Sequence, residues 1–273
     1  TGNTSLEWQM SAQQSFYATL ARGVRAGGVN ASLSSTLLAL ASEIDVTPYA
    51  SRTRFNEEIV LNRGLGWRLR STDGRLRAGL AVFSMDRDDH QVKGSLVIPR
   101  ADGSTSFTDF TDNAATGTNR GLEFAVDWLP SERLTLNLAI GRLEAEFDEY
   151  INVDGTRLSG RDQPQAPAWQ YRANATWQLS AKLSASLEAT GRDAFYLSDR
   201  HDVQSPQADM LNANILWENG DWSLNIWGRN LTDKLTVTRG FGTFGNDPRK
   251  EYALEPYYQF GEPRTLGATI SYR

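Results

Sequence analysis

The chain has 273 residues, with 28 Lys and Arg against 33 Asp and Glu for a formal net charge of −5, and 40% of it is hydrophobic. That excludes a disordered acidic tail and a basic nucleic-acid binder, so no nucleic-acid partner is expected. Cysteine is absent, which removes disulfide scaffolds, thiolate metal sites and cysteine nucleophiles and leaves His90 and His201 as the sole imidazoles. The longest apolar run, Leu37 to Ala41, falls far short of the roughly 18 residues of a membrane helix, so any membrane role must use strands or a surface helix. The start at Thr1-Gly2-Asn3, without an initiator Met or a signal stretch, predicts a piece of a longer protein.

Period-two alternation runs the whole length and predicts eleven strands, near 4–11, 14–24, 56–71, 75–87, 118–129, 133–148, 167–179, 182–196, 208–218, 221–236 and 261–273. In the clearest, Trp169, Tyr171, Ala173, Ala175, Trp177 and Leu179 alternate with Gln170, Arg172, Asn174, Thr176 and Gln178, a pattern no amphipathic helix produces.

The links between strands fall into two classes. Ala12-Gln13-Gln14, Thr72-Asp73-Gly74, Pro130-Ser131-Glu132, Ser180-Ala181 and Asn219-Gly220 are short, with hairpin chemistry; 25–55, 88–117, 149–166, 197–207 and 237–260 are long. Strict short/long alternation is the signature of outer-membrane β-barrels, whose periplasmic turns are short and extracellular loops long. The polar faces carry Arg, Asn, Gln, Glu and Thr, suited to a wet lumen, and Trp8, Phe16, Trp67, Trp128, Trp169, Trp177, Trp217, Trp222 and Tyr272 sit toward strand ends, where a half-wetted ring suits an interface. The expected fold is therefore all-β, an antiparallel transmembrane barrel. Because bacterial barrels close with even strand numbers, eleven strands predict an incomplete one, half of the 22 found in plugged transporters.

The C-terminal third resembles the TonB-dependent outer-membrane receptors. Trp222-Ser-Leu-Asn-Ile-Trp-Gly-Arg-Asn-Leu-Thr-Asp-Lys234 is similar to that family's penultimate strand, with Asn230, Leu231, Thr232 and Asp233 as its signature turn. Gly261, Glu262, Pro263 and Arg264 open a segment to Arg273 that resembles its closing strand. Upstream, Tyr17 to Asn30 is similar to the family's Gly-x-x-x-Gly-Gly-x-Asn stretch and Asn119-Arg-Gly-Leu-Glu123 to its Gly-x-Glu strand start. The resemblance implies residues 1–273 as the C-terminal barrel portion of a receptor in the outer membrane of a Gram-negative bacterium, with signal peptide, plug and first half of the barrel lying outside it. It also implies a scarce ligand, most commonly a ferric siderophore, and energy from TonB, ExbB and ExbD acting through the plug, whose movement releases the ligand. Family members tend to end in Phe, which the apolar phase Leu266, Ala268, Ile270, Tyr272 would place one position beyond Arg273.

Several residue groups invite chemistry. Asp86, Asp88, Asp89 and His90 cluster where a strand enters a long loop, as a divalent-cation set or a solvated rim. Asp199, Arg200, His201 and Asp202 form a second such cluster, and the two together raise the alternative of a rim protease using an Asp–His general base. A passive porin is the other alternative. Glu144, Glu146 and Asp148 share a strand face, with Glu149 beyond, as lumen-facing carboxylates or a cation site. The expected ligand contacts are Arg239, Phe241, Phe244, Tyr252, Tyr257 and Tyr258, on an aromatic and glycine-rich loop that either offers adaptable contact area or packs down onto the barrel mouth. No cofactor is expected: Gly240-x-Gly-x-x-Gly245 lacks the strand–turn–helix setting of a dinucleotide site, and nucleophile-elbow, phosphate-loop and zinc-protease motifs are absent.

Overall fold

The computed structural model describes residues 1–152, 155–199, 201–243, 249 and 255–273. In chain order the elements are β1 (Gly2–Gln9), β2 (Gln14–Arg25), β3 (Gly28–Val29), α1 (Ala31–Leu40), a 3-10 turn (Thr47–Thr53), β4 (Arg54–Phe55), β5 (Glu58–Arg70), β6 (Leu76–Pro99), β7 (Thr105–Ser131) and β8 (Leu134–Tyr150). There follow β9 (Trp169–Ser180), β10 (Leu183–Arg192), β11 (Phe195–Tyr196), β12 (Gln204–Ser205), β13 (Ala208–Asn219), β14 (Trp222–Arg229), β15 (Val237–Thr243), β16 (Glu255–Phe260) and β17 (Thr265–Tyr272).

The eleven predicted strands form one antiparallel sheet in the order β1-β2-β5-β6-β7-β8-β9-β10-β13-β14-β17, with β1 and β17 at its edges. Alternation fixes its two faces, because directly opposed residues share a side. One transverse row reads Trp8, Phe16, Trp67, Leu80, Phe124, Ile140, Tyr171, wholly apolar and aromatic. The adjacent row reads Glu7, Tyr17, Gly66, Ala81, Glu123, Gly141, Gln170, small or polar throughout. Leu65, Trp177, Leu187, Ile226 and Ile270 of the apolar face are all exposed, the inverse of a water-soluble sheet and the pattern of a wall against lipid. On the polar face, Arg172 Nε donates to Glu188 (2.6 Å), Asn212 Nδ2 to the other Glu188 oxygen (3.0 Å) and Asn214 Nδ2 to Asn225 (3.2 Å). A hydrogen-bonded polar surface of this kind is content beside water.

In four pairs of the wall the ring lies over the glycine directly across from it: Tyr17 on Gly66, Phe83 on Gly121, Tyr171 on Gly191 and Trp227 on Gly267. A Cβ at those glycines would lie 2.1, 2.6, 2.2 and 2.3 Å from the ring, so each glycine is a socket that its aromatic neighbour fills, covering otherwise bare backbone.

The expected boundaries differ in informative ways. Strands β6 and β7 continue through the region expected as the loop 88–117, pairing from His90 with Ala115 out to Pro99 with Thr105. The region 25–55 holds α1 and the 3-10 turn, and 237–260 holds the β15–β16 ribbon. Strand β14 stops at Arg229, ahead of the expected 236, because Asn230 adopts φ 47 and Asp233 φ 54, left-handed backbone that breaks the strand. The carboxylates expected to face the lumen are also corrected. Glu144 and Glu146 alternate in phase with Leu136, Leu138 and Ile140 and so project from the apolar face, above its end, where Arg142 bonds Glu144 at 2.8 Å. The outer wall turns polar there because it has left lipid for water.

Candidate functional site

The long links end in packed structure over the barrel mouth, in three small cores. Leu33, Leu37 and Leu40, spaced along one side of α1, are buried against Leu96, Ile98 and Phe110 of the β6–β7 hairpin. Asn30 fastens that helix to the hairpin: its Nδ2 donates to the carbonyl of Thr111 (2.7 Å), and its Oδ1 accepts the N–H of Thr111 (2.9 Å). A second core joins Ala115, Phe147, Tyr150 and Leu158, and a third joins Phe195, Leu197 and Val237.

Arg161 ties two of the links together, donating to the carbonyls of Ser198 (3.0 Å) and His201 (2.7 Å) while its guanidinium lies 4.0 Å over Tyr196. Tyr150 donates its hydroxyl to Asp199 at 2.9 Å. Arg192 reaches the carbonyl of Val237 (2.7 Å), which also accepts the Ser205 hydroxyl (3.1 Å).

At the base of the rim an ion pair is buried. Glu58, its side chain 3% exposed, accepts Arg87 Nε (2.9 Å) and Nη2 (2.6 Å) on one oxygen and the Gln91 N–H (3.0 Å) on the other, with Arg25 4.0 Å away. Burial alone would push the Glu58 carboxyl up, but the Gln91 N–H and Arg87 together hold it below the usual carboxylate range. Gln91 Nε2 donates to the carbonyls of Ala26 (3.0 Å) and Asn56 (2.9 Å), and Gln163 Nε2 to Asn119 (2.9 Å) and the carbonyl of Glu146 (2.8 Å).

Above this pair opens a cavity of about 860 Å³. Its wall draws on β6 (Arg87, His90, Lys93), β7 (Asp109), the links after β8 and β11 (Gln163, Gln165, Asp199) and β15 (Arg239). Its size and its mixture of apolar and hydrogen-bonding groups suit a small-molecule ligand. A second hollow, of about 680 Å³, lies lower on the polar face, beside Tyr17, Arg68, Glu123 and Arg172.

The expected cation set does not assemble: among the described residues no three carboxylates or imidazoles converge. Asp86 bonds Arg63 at 2.5 Å, Asp89 sits at φ 53 in the irregular pairing between Arg87 and His90, and His90 turns inward. Its ring stacks on Phe147, centroids 5.8 Å apart, and its Nδ1 is buried without a hydrogen-bond partner. Burial, with Arg87 adding to it, pushes the imidazole down to about 4, so it is uncharged at neutral pH. No carboxylate bonds that ring, and Asp199 serves Tyr150, Asp202 faces Arg161 at 3.5 Å and His201 Nδ1 accepts the Val203 N–H at 3.2 Å. Asp199 and Asp202 hold links together through Tyr150 and Arg161. Arg200 lies outside the described residues.

Of the expected ligand contacts, Arg239 lines the cavity. Tyr257 and Tyr258 are each 41% exposed on adjacent positions of β16, hence on opposite sides of its ribbon, and do not line it. The backbone of Phe241 pairs with Tyr257, while Phe244 and Tyr252 lie outside the described residues.

The signature turn proves to be a fastening. Asn230, 3% exposed, donates from Nδ2 to the carbonyls of Lys234 (2.9 Å) and Glu262 (3.1 Å) and accepts the Lys234 N–H (2.9 Å) on Oδ1. Leu231 N–H reaches the carbonyl of Leu211 (2.7 Å), the Thr232 hydroxyl that of Asp209 (3.2 Å), and Asp233 pairs with Arg264 at 3.1 Å. Gly261 N–H donates to the carbonyl of Thr236 (2.9 Å), Glu262 lies 3.6 Å from Arg229, and Pro263 accepts the Thr265 hydroxyl (3.0 Å). The link between β14 and β17 is thereby locked to β13. Sequence reasoning did not single out Glu58, Arg87, Gln91 or Gln163, since nothing in strand alternation marks a residue for burial above the membrane.

A sheet apolar outside and polar inside, joined by short turns at one end and packed links around a cavity at the other, defines an outer-membrane-type barrel wall. The family model described as TonB dependent receptor-like, beta-barrel, matches residues 1–231, and the chain belongs to that family. Among solved structures it is similar to the ferric yersiniabactin uptake receptor FyuA from Yersinia pestis (TM-score 0.72, 14% identity, 99% of this chain and 36% of that one). It is also similar to the siderophore receptor PiuA from Acinetobacter baumannii (0.69, 14%, 98% and 35%) and the closed form of the ferric-catecholate import receptor Fiu from E. coli K12 (0.67, 17%, 99% and 34%). At these identities the likeness is one of fold, and the chain spans about a third of the length of those proteins. No helix among the described residues is long and apolar enough to cross a membrane; crossing in this fold belongs to strands.

Proposed function

We propose that residues 1–273 form the C-terminal half of a 22-stranded barrel in the outer membrane of a Gram-negative bacterium, belonging to a receptor that imports a ferric siderophore at the expense of TonB, ExbB and ExbD. The observation that carries this reading is an eleven-stranded sheet with both edges unpaired, topped by packed links that enclose a cavity. Backbone groups on two open edges have no partner in lipid, so further strands must close the wall, eleven of them in a 22-stranded barrel. The cavity would capture the chelate, and a plug moved from the inner membrane would release it. Outer-membrane lipid, the chelate and the TonB complex, reached through the plug, are the partners. The role is uptake, not catalysis.

The test is a strain lacking the full-length gene, grown under iron restriction with a single ferric siderophore as iron source. Loss of chelate-dependent growth, restored by the gene only when TonB is present, is expected; uptake independent of TonB would overturn the reading. The half-barrel produced alone in detergent is expected not to show heat-modifiable gel migration.

A further inference from the structure

The outer face of the wall passes from apolar to charged along one line, and on four strands arginine makes the change. Moving up the outward positions from the short turns, the first charged residue is Arg22 on β2, Arg63 on β5, Arg120 on β7 and Arg142 on β8. Leu20, Leu65, Leu122 and Ile140 stand next below them on that face, and all four arginines are exposed. On β6, Ser84 lies directly across from both Arg63 and Arg120.

The four follow one diagonal. Arg22 opposes Leu61, two positions from Arg63, and Arg120 opposes Glu144, two positions from Arg142, so each couple has its Cα atoms about 7–8 Å apart. The row through Arg22 runs Leu61, Asp86, Thr118, Glu146, and Arg142 lies four positions below Glu146. A fall of one residue per strand is the slope that strand tilt gives to a level line on a barrel. The last outward rings before the short turns step the same way: Phe16 and Trp67 share the row of Phe124 and Tyr171, whereas Trp128 lies four positions beyond Phe124 and Trp177 six beyond Tyr171. The arginines therefore stand at one height, the upper margin of the lipid layer.

Strands β2 to β8 have wall strands on both sides, and every residue from 14 to 150 is described. Asp86 holds Arg63 at 2.5 Å and Glu144 holds Arg142 at 2.8 Å, with every side chain 41% or more exposed, and such pairs are weak. Glu144 stands across from Arg120 yet turns to Arg142. Among the described residues neither Arg22 nor Arg120 has a partner for its guanidinium. Asp88 and Glu146 stand higher on the same face, away from the apolar band.

A guanidinium binds phosphate oxygens two at a time, and at the margin of a lipid layer its long stem lies on apolar surface while its head meets the headgroups. A phosphate monoester brings nearly two charges and three acceptor oxygens, where a diester brings one charge. Cations spread along a level line suit a headgroup that carries more than one phosphate. We propose that Arg22, Arg63, Arg120 and Arg142 form a site on the outer surface of the wall for the phosphate monoesters of an outer-leaflet glycolipid. This rests on the outer-membrane reading above.

The experiment is native mass spectrometry of the full-length receptor, delipidated in nonionic detergent and titrated with bisphosphorylated lipid A, with the same lipid after removal of both phosphates, with phosphatidylglycerol, or with inorganic phosphate. Binding of the bisphosphorylated lipid at least tenfold tighter than either other lipid is expected, with no competition from inorganic phosphate. Arg22→Gln combined with Arg120→Gln should weaken that binding at least fivefold and leave the dephosphorylated lipid unaffected, while Arg70→Gln, an exposed arginine of the inner face, should change neither. Equal binding of the dephosphorylated lipid, or an unchanged affinity in the double variant, overturns the site. Equal binding of phosphatidylglycerol overturns the monoester assignment, and competition by inorganic phosphate overturns the lipid in favour of a free anion. Absence of a heat-modifiable folded band from the full-length receptor would instead overturn the barrel reading beneath the proposal.

Discussion

The barrel wall and the rim above it are made from the same strands yet stabilised by different means. In the wall the burial order is inverted: Leu65, Ile226 and Ile270 face outward, and what gives it shape is register, with rings seated on glycines and polar side chains bonded between neighbouring strands on the inner face. In the rim ordinary burial returns, with Leu33, Ile98 and Phe147 shut away and an ion pair beneath them. The change falls within single strands. Strand β6 presents Leu80 and Val82 outward, then Asp86, and then sends Leu96 and Ile98 into a packed core. Solvent decides it: the same alternating strand serves lipid below and must make its own interior above.

Substitutions can break this contrast, and the largest effect is expected in the rim. Glu58→Ala leaves Arg87 without the carboxylate that binds it, and removal of one partner of a buried pair is strongly destabilising, here by about 3 kcal/mol. Limited proteolysis of the full-length receptor should then cut the extracellular links while the wall stays intact. In the wall, Gly66→Val puts a branched side chain where a Cβ already lies 2.1 Å from the Tyr17 ring, and overpacking of this sort costs about 2 kcal/mol. It should lower the temperature at which the folded gel band of the receptor disappears, and Gly66→Val with Tyr17→Ala should recover part of the loss.

At the junction of the two regions, Asn230→Ala removes an amide that bonds Lys234 and Glu262 and introduces Ala at φ 47. Strain and lost hydrogen bonds together predict about 2 kcal/mol in urea unfolding of the receptor. Asn230→Gly, which restores only the backbone freedom, should recover less than half.

Acid sharpens the contrast further. Because the imidazole of His90 is pushed from 6.5 to about 4 in the folded protein, the unfolded chain binds the proton first, and stability from this group is complete above 6.5 and falls as pH drops from 6.5 toward 4. Hydrogen-exchange protection factors in the β6–β7 hairpin above the wall, referred to the intrinsic rate at each pH, should fall over that interval, and His90→Leu should flatten the dependence. Smallest of all, Asp86→Asn disrupts a pair whose side chains are 52% and 41% exposed, for which about 0.5 kcal/mol or less is expected in the same urea assay.

What was legible in the sequence follows the wall. Alternation such as Trp169 to Leu179 states which side of a strand is apolar, and turn chemistry at Asp73-Gly74 and Asn219-Gly220 states where it reverses, so strand number, order and the two faces can all be read locally. The signature turn was legible as a family resemblance, but its mechanical meaning, a left-handed asparagine locking β14 and β17 to β13, needed neighbours eighteen or more positions away: Asn230 N–H bonds Asn212 and its Nδ2 bonds Glu262.

The rim was not legible. Whether Glu144 and Glu146 face lumen or solvent depends on where along the strand lipid ends, and alternation does not carry that height. Whether His90 is a ligand, a base or a packed ring depends on Phe147, fifty-seven positions on and brought beside it by the pairing of β6, β7 and β8. The sequence by itself determined the barrel wall, because membrane and lumen impose a period of two on every strand. Only the tertiary structure decided the cavity, because its groups come from β6, β7, β15 and two links that are far apart in the chain and meet through packing that alternation does not encode.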